Sequence, residues 1–229
     1  KGAVVALDAK TGAILALYSS PSFDPNALAS RDAGEVQDAY ATLDADPKNP
    51  MLNRTISERY APGSTFKVLT EIALIENGIA NPDTRMDSPV STTLPGTTTE
   101  VSNIESSTCG YGKPTLTEAF ARSCNTTFVL ASEKLTTQQL TDVTKRFGFG
   151  DEQEIPLTVI PSVFPSDADS AQLAMSSIGQ YTVQATPMQM AQVAQTIANG
   201  GQMMSPYLIK QIVDADNQTI RKTKATEAG

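Results

Sequence analysis

Two strand-forming patterns, one near each end of the chain, most restrict the folds open to this sequence. Residues 3–8 and 13–18 are apolar runs on either side of the turn residues 9–12, which predicts an opening β-hairpin. Near the other end, residues 207–214 alternate between apolar and polar side chains, and a turn and a return strand follow. Strands from both ends can pair into one antiparallel sheet, so we expect an α+β fold with helices flanking that sheet.

Between the two hairpins the spacing of apolar residues is helical. A helix is predicted from Ser64 to Glu76, because apolar positions recur every three or four residues and Asn77-Gly78 resembles a C-terminal cap. Further helical patterns lie at residues 117–122, 127–135, 137–147 and 166–177, and from the capping box at Thr186 onward. The Pro- and Asp-rich residues 21–50 and the Ser-, Thr- and Gly-rich residues 88–112 indicate connections.

The composition excludes several kinds of chemistry. The 229 residues include no histidine, so the chain itself cannot form a Ser-His-Asp triad, a His-ligated zinc site or a histidine general base. Its two cysteines are too few for a four-cysteine metal site. The net charge of −8 argues against nucleic-acid binding. Nucleophilic catalysis in this chain would therefore need a lysine or a carboxylate as its base.

The first candidate for such chemistry is the pair Ser64 and Lys67. Residues three apart on a helix share a face, so the lysine amine can point at the serine hydroxyl. A serine in the first helical turn also lies where the helix dipole stabilises negative charge. Chance alone predicts about one Ser-x-x-Lys match in a chain of this kind. On spacing alone, the favoured explanation is a helix cap at Ser64 with the lysine on the solvated face.

The second candidate is Ser123 together with Asn125. In a catalytic interpretation, the serine relays a proton and the Asn125 amide orients Lys67 and the substrate. In the structural alternative, these residues form a turn between helices and Asn125 caps the helix that follows. The pattern itself leaves both open.

The wider context adds a resemblance. The segment from Tyr60 to Lys67, with Asn53-Arg54 before it, resembles the acylation motif of class B penicillin-binding proteins, and residues 123–125 follow at a similar spacing. Four other stretches resemble the family in the same order, at residues 8–26, 179–180, 185–191 and 199–201. Within this family the chain resembles the actinobacterial penicillin-binding protein A type.

The resemblance implies a fold and a domain organisation. It implies an antiparallel sheet flanked by helices, with an all-helical subdomain, as in serine β-lactamases and penicillin-binding transpeptidases. Residues 1–229 would then be a C-terminally incomplete transpeptidase domain. The sheet hairpins would lie at residues 1–20 and 207–223, and the mainly helical part, which carries both motifs, at residues 51–200.

The resemblance also implies an activity. Ser64 would be acylated by peptidoglycan stem peptides ending in D-Ala-D-Ala and by penicillins and other β-lactams, with Lys67 as base and Ser123 and Asn125 in the roles given above. No metal or cofactor is implied. The enzyme would act in cell-wall synthesis, cell shape and division, outside the cell membrane, on an N-terminal transmembrane anchor. A serine β-lactamase, or a β-lactam-binding sensor or scaffold without turnover, are the alternatives.

One family motif is displaced. The family carries Lys-Thr-Gly on a strand lining the site, where it anchors the substrate carboxylate and supplies an oxyanion-hole amide. Here Lys10-Thr11-Gly12 lies in the turn of the opening hairpin and matches the family's first turn instead. We expect the active-site copy beyond Gly229, on a further segment or a second chain.

The two cysteines leave a structural question open. In an exported protein, Cys109 and Cys124 could form a disulfide that tethers the second motif to the preceding loop. Two buried free thiols are the equal alternative.

Overall fold

The computed structural model describes residues 1–228. Its strands are β1 (Gly2–Leu7), β2 (Ile14–Ser20), β3 (Ser91–Thr93), β4 (Glu100–Ser102), β5 (Gln153–Glu154), β6 (Thr158–Val159), β7 (Gln211–Val213) and β8 (Thr219–Lys222). Its α-helices are α1 (Ala33–Asp44), α2 (Arg54–Ser57), α3 (Lys67–Glu76), α4 (Leu116–Ala121), α5 (Asn125–Ser132), α6 (Thr137–Arg146), α7 (Ser170–Ser176) and α8 (Pro187–Ala198). Short 3₁₀ helices lie at Pro25–Ala29, Gly63–Phe66, Ile104–Ser106 and Cys109–Gly112.

The chain forms two compact units. The first contains residues 1–59, 152–160 and everything described from residue 186 onward, and the second contains residues 60–151 and 161–185. Both motifs that could carry chemistry, Ser64 to Lys67 and Ser123 to Asn125, therefore lie in the second unit. In the part of the chain that the structure describes, no helix is long and apolar enough to cross a membrane.

The opening hairpin and α8 organise the first unit. β1 and β2 pair antiparallel from Gly2 opposite Ser20 to Leu7 opposite Ile14, as the sequence predicts. Helices α2 and α8 pack against β1. The apolar core of this unit comprises Ile56, Ile155, Val159 and Met188, with Val5, Leu7, Ile14 and Leu17 against it. Thr186 caps α8, since its side chain accepts a hydrogen bond from the Gln189 amide at 3.1 Å.

The structure corrects the expectation of one continuous sheet. The hairpins β1–β2 and β7–β8 form separate two-stranded sheets, and the link between them in residues 1–228 is an isolated parallel bridge from Ala13 to Tyr207. The predicted strand at 207–214 is shorter, because ladder pairing begins at Gln211. Pro206, just before the bridge, has no N–H to donate, so a ladder cannot extend through it.

Helix α1 lies where the sequence indicates only a connection. None of its residues is buried, so it presents no apolar face whose spacing would reveal it. Its start is fixed locally instead. The Asp32 side chain accepts hydrogen bonds from the amides of Gly34 and Glu35, at 2.8 Å and 3.3 Å.

Helix α3 is central to the second unit. It packs against α4, α5 and α6, while α5 also packs against α7 and the strands β3 and β4. The large side chains that are fully buried in this unit are mainly apolar, namely Phe66, Leu69, Leu74, Leu116, Phe128, Val129, Leu140 and Val143. Helices predominate in this unit, but β3 and β4 form a two-stranded sheet within it, so the expectation of an all-helical subdomain is corrected. The direct packing of α3 on α5 also fixes these two helices, which follow the two motifs, against one another.

Candidate active site

Ser64 lies in the turn that opens α3. The 3₁₀ helix Gly63–Phe66 runs directly into α3, and the Lys67 amide donates a hydrogen bond to the Ser64 carbonyl. The Ser64 side chain is exposed, and within residues 1–228 its hydroxyl makes no hydrogen bond. The first amides of a helix have no acceptor inside it and carry the positive end of its dipole. Ser64 is therefore an accessible hydroxyl at a position that stabilises negative charge.

The residue between Ser64 and Lys67 anchors this turn. Phe66 is completely buried. Its ring stacks on Phe164 at 5.8 Å between centroids and meets the edge of Phe149 at 5.9 Å. Such aromatic pairs contribute about 0.5–1.5 kcal/mol each beyond the area that they bury. These aromatic contacts thus anchor the buried side of the turn, while the Ser64 side chain on its other side is exposed.

Lys67 is buried and held by the second motif. Its side chain is 1% exposed. Its Nζ donates hydrogen bonds to the Ser123 carbonyl at 2.8 Å, to Ser123 Oγ at 3.1 Å and to Asn125 Oδ1 at 2.7 Å. The Phe128 ring lies 5.5 Å from Nζ, measured to the ring centroid. The alternative of a lysine on the solvated face is therefore wrong.

Burial changes the basicity of this lysine. Removal from water disfavours the ammonium form and lowers the pKa of Lys67 from 10.5 to about 8. The three oxygen acceptors and the aromatic ring favour the ammonium form and oppose this effect. At pH 7 a group with this pKa is neutral in roughly one molecule in ten. Lys67 can therefore both hold and release a proton near neutral pH.

The second motif is a turn that leads into α5. Ser123 has φ of +56°, a left-handed conformation that is uncommon for serine, and the turn is closed by a hydrogen bond from its amide to the Phe120 carbonyl at 2.9 Å. Asn125 is the first residue of α5, and its Nδ2 donates to the Ser102 carbonyl at 3.0 Å. That bond fixes the carboxamide so that its oxygen faces Lys67. The simple capping alternative does not account for this arrangement.

A disulfide joins Cys109 to Cys124, with their Cα atoms 6.0 Å apart. Of the two alternatives left open by the sequence, the structure thus contains the disulfide. Cys124 stands between Ser123 and Asn125, so the bond ties the second motif to the 3₁₀ helix Cys109–Gly112.

The Lys-Thr-Gly sequence of the first unit has a local role. Lys10, Thr11 and Gly12 form the turn between β1 and β2. The Asp8 carboxylate accepts hydrogen bonds from the Thr11 hydroxyl, the Thr11 amide and the Lys10 amide, and these bonds lower the pKa of Asp8. This is the hairpin turn that the sequence predicts.

Some contacts of the site have no signal in the sequence. The Ser102 carbonyl that holds Asn125 belongs to backbone, which any residue could supply. The Phe128 ring beside Lys67 falls within an apolar run that predicts only a buried helix. Among residues 1–228, no group of three or more Cys, Asp or Glu side chains could hold a metal ion.

Comparison with known families identifies the class of protein. The model described as the penicillin-binding protein transpeptidase domain matches residues 2–228. The chain therefore belongs to this family. Its similarity extends to the PbpA type among class B proteins, which confirms the family resemblance inferred from the sequence.

Individual relatives agree. The peptidoglycan D,D-transpeptidase PbpA of Mycolicibacterium smegmatis is 47% identical over 226 residues, which are 97% of this chain and 46% of the relative. Two solved structures of penicillin-binding protein A from M. tuberculosis are also similar. The imipenem acyl-enzyme superposes with a TM-score of 0.94 at 41% identity, covering 99% of this chain and 52% of that one. The penicillin G acyl-enzyme superposes with a TM-score of 0.94 at 42% identity, covering 100% and 53%. The chain thus spans about half the length of these relatives.

Proposed function

We propose that this chain carries the acylation site of a peptidoglycan D,D-transpeptidase, with Ser64 as the nucleophile. The observation that carries the proposal is the setting of Lys67, a buried amine held by Ser123 and Asn125 one helical turn from an exposed serine. The name of the mycobacterial relative supports the same activity. The acyl-enzymes solved for penicillin-binding protein A of M. tuberculosis support a covalent intermediate.

In the acylation step, neutral Lys67 accepts the proton of Ser64 Oγ as that oxygen attacks the carbonyl carbon between the two D-Ala residues. The carbonyl oxygen becomes an oxyanion, and the Ser64 amide at the start of the helix donates to it. When the C–N bond breaks, the proton passes from Lys67 through the Ser123 hydroxyl to the nitrogen of the leaving D-Ala. The product is an ester on Ser64.

In the transfer step, an amine of a neighbouring stem peptide attacks the ester carbonyl. The amine loses a proton to the network of Lys67 and Ser123, and Ser64 Oγ leaves with a proton from the same network. An amide cross-link forms and the free serine is regenerated. A β-lactam follows the first step alone, since opening of its ring leaves no separate leaving group and the ester on Ser64 persists.

Two parts of the proposal concern the whole enzyme. We place it on the extracytoplasmic side of the membrane, in cell-wall synthesis, shape and division; the Cys109–Cys124 disulfide supports an oxidising compartment. By the family pattern, a Lys-Thr-Gly strand from outside these 229 residues supplies the anchor for the substrate carboxylate. We expect that strand on a further segment of the protein or on a second chain.

A donor peptide ending in D-Ala-D-Ala, mixed with a D-amino acid as acceptor, tests the proposal. We expect D-Ala release and an exchanged peptide from the unmodified protein, supplied with the Lys-Thr-Gly segment of the full-length enzyme, and neither from Ser64→Ala. In a parallel incubation with penicillin, rapid release of the hydrolysed drug would instead indicate a β-lactamase. A stable penicillin adduct without peptide exchange would indicate a sensor or scaffold.

A further inference from the structure

Two glycines meet directly behind Ser64. The Gly63 amide donates a hydrogen bond to the Gly179 carbonyl at 2.9 Å. Both glycines have left-handed backbones, with φ of +55° for Gly63 and +69° for Gly179. A Cβ atom on Gly179 would lie 2.7 Å from the Gly63 nitrogen and closer still to the Gly63 carbonyl oxygen, well inside van der Waals contact. No side chain fits at position 179 unless the Gly63 backbone moves.

The carbonyl that Gly179 approaches has a specific importance. The carbonyl of Gly63 and the amide of Ser64 belong to the same planar peptide group. Pressure on the Gly63 oxygen therefore tilts the Ser64 N–H at the other end of that plane. This N–H is the donor that the proposed mechanism assigns to the oxyanion.

Residues 179–185 hold the turn that leads into Ser64, here called the nucleophile turn (residues 60–64), at a second point. Tyr60 and Ala185 exchange two backbone hydrogen bonds, each of 2.9 Å. Residues 60–63, which lead into Ser64, are thus fixed at both ends by residues 179–185. The position of the nucleophile turn follows from the position of this segment.

The same segment is tied to both helices of the site. The Thr70 hydroxyl on α3 donates to the Ser177 carbonyl at 2.7 Å. The Ser177 hydroxyl makes hydrogen bonds to the Phe128 carbonyl on α5 at 3.3 Å and to the Ala174 carbonyl at 2.7 Å. Residues 177–185 therefore connect the backbone before Ser64 to the helices that carry Lys67 and Asn125.

We propose that Gly179 is a positioning residue for acylation. Because it lacks a Cβ atom, its backbone packs on the peptide group between Gly63 and Ser64 and sets the direction of the Ser64 N–H and hydroxyl. This inference rests on the proposed acylation of Ser64 and adds a residue that touches neither substrate nor base.

Gly179→Ala tests the inference, with Gly78→Ala as a matched control. Gly78 has nearly the same φ, +67°, but a Cβ there would meet no atom within 4 Å. Both substitutions strain a left-handed backbone, and only Gly179→Ala also pushes on the Gly63 peptide. Each variant is made in the full-length enzyme, which supplies the Lys-Thr-Gly segment, and is mixed with a penicillin over a range of concentrations. The adduct is followed by intact-protein mass. This separates the dissociation constant, the acylation rate constant and the fraction of protein that reacts.

We expect Gly179→Ala to lower the acylation rate constant by about tenfold to a hundredfold, with a similar dissociation constant. The pH midpoint set by Lys67 should stay unchanged, since Lys67 keeps its partners. Gly78→Ala should acylate like the unmodified chain. A merely destabilised Gly179→Ala would reduce the reactive fraction and leave the rate constant alone, and that result would overturn the inference.

Thr70→Val provides the answer if Gly179→Ala does not fold. It removes the hydrogen bond to the Ser177 carbonyl while nearly preserving shape, and we expect a severalfold lower acylation rate constant. An unchanged rate constant would overturn the inference. If the unmodified full-length enzyme is not acylated at all, the proposed function fails and the inference fails with it. If it is acylated and Gly179→Ala matches Gly78→Ala, the inference alone fails.

Discussion

The amine of Lys67 lies 2.7 Å from the carboxamide oxygen of Asn125, although the two residues start different helices. The amide nitrogen of Asn125 donates to the Ser102 carbonyl, so the carboxamide cannot flip without losing both bonds. Lys67 thus always meets an oxygen acceptor and not a competing N–H donor. This contact favours the ammonium form of Lys67 and opposes the lowering of its pKa by burial.

The pH dependence of acylation should follow Lys67. Because the proposed base is the neutral amine of Lys67, whose pKa is about 8, the acylation rate should rise about tenfold per pH unit below 8 and level off above it. Measurement of penicillin acylation from pH 6 to 10 tests this. A profile that is flat through pH 8 would contradict Lys67 as the base.

The same pKa makes a prediction about stability. The folded chain binds the Lys67 proton less tightly than the unfolded chain, whose lysine keeps its ordinary pKa of 10.5. The free energy of unfolding should therefore gain a contribution from Lys67 as pH rises from about 8 to 10.5. Denaturant titrations at several pH values give the free energy of unfolding as a function of pH. Over this window that function should rise more steeply for the unmodified chain than for Lys67→Met. Parallel curves would contradict the lowered pKa.

Asn125→Asp should shift the pH profile to higher pH. The substitution places a carboxylate at hydrogen-bonding distance from the Lys67 amine, which stabilises the ammonium form and raises the pKa of Lys67 by at least about one unit. Acylation at pH 7 should fall accordingly and recover in part at higher pH. Asn81→Asp, the same change at an exposed turn, should leave the profile unchanged. A profile of Asn125→Asp that matches the unmodified chain would show that this contact does not govern Lys67.

The disulfide should stabilise the fold substantially. A cross-link that closes a loop of 15 residues contributes about 3 kcal/mol in the loop-entropy account. The double variant Cys109→Ser, Cys124→Ser should melt about 6–12 °C lower in a chain of this size. Added reductant should lower the melting temperature of the unmodified chain but not that of the variant. Equal melting temperatures would mean that the disulfide adds nothing to stability.

The ionised form of Glu71 should destabilise the folded chain. It lies half-buried on α3, and burial raises the pKa of its carboxyl above 4.5. The folded chain therefore binds this proton more tightly than the unfolded chain, and stability falls as pH rises through the window above 4.5. Glu71→Gln should raise the melting temperature at pH 7 and change it little at pH 4. A lower melting temperature at pH 7 would contradict this.

Local patterns predicted much of the fold. Two apolar runs on either side of the turn that contains Gly12 predict the opening hairpin. The φ of +76° at Gly12 is a conformation that glycine adopts freely. Helix α8 is marked by Thr186 and Pro187. Helix α1 escaped prediction because its start depends on a single cap at Asp32 and it buries no residue. The separation of the two end hairpins escaped because pairing between distant strands has no local signal.

The sequence motifs named the residues of the candidate site, but they did not predict the contacts between those residues. The motifs name Ser64, Lys67, Ser123 and Asn125, but the spacing alone left each with a structural alternative. The contact of Lys67 with Ser123 spans 56 residues, and no periodicity encodes it. The partners of Phe66 and Gly63 are likewise distant in sequence, at Phe149, Phe164 and Gly179. Tertiary packing determines these contacts.

Intact-protein mass after incubation with a penicillin tests the central claim most directly. With the Lys-Thr-Gly segment of the full-length enzyme present, we predict one adduct per unmodified protein molecule, released slowly and mapped to the peptide that contains Ser64. Thr65→Ala, which removes the neighbouring hydroxyl, should still form the adduct, and Ser64→Ala should form none. An adduct that persists in Ser64→Ala, or that maps to another residue, would contradict the assignment of Ser64 as the nucleophile.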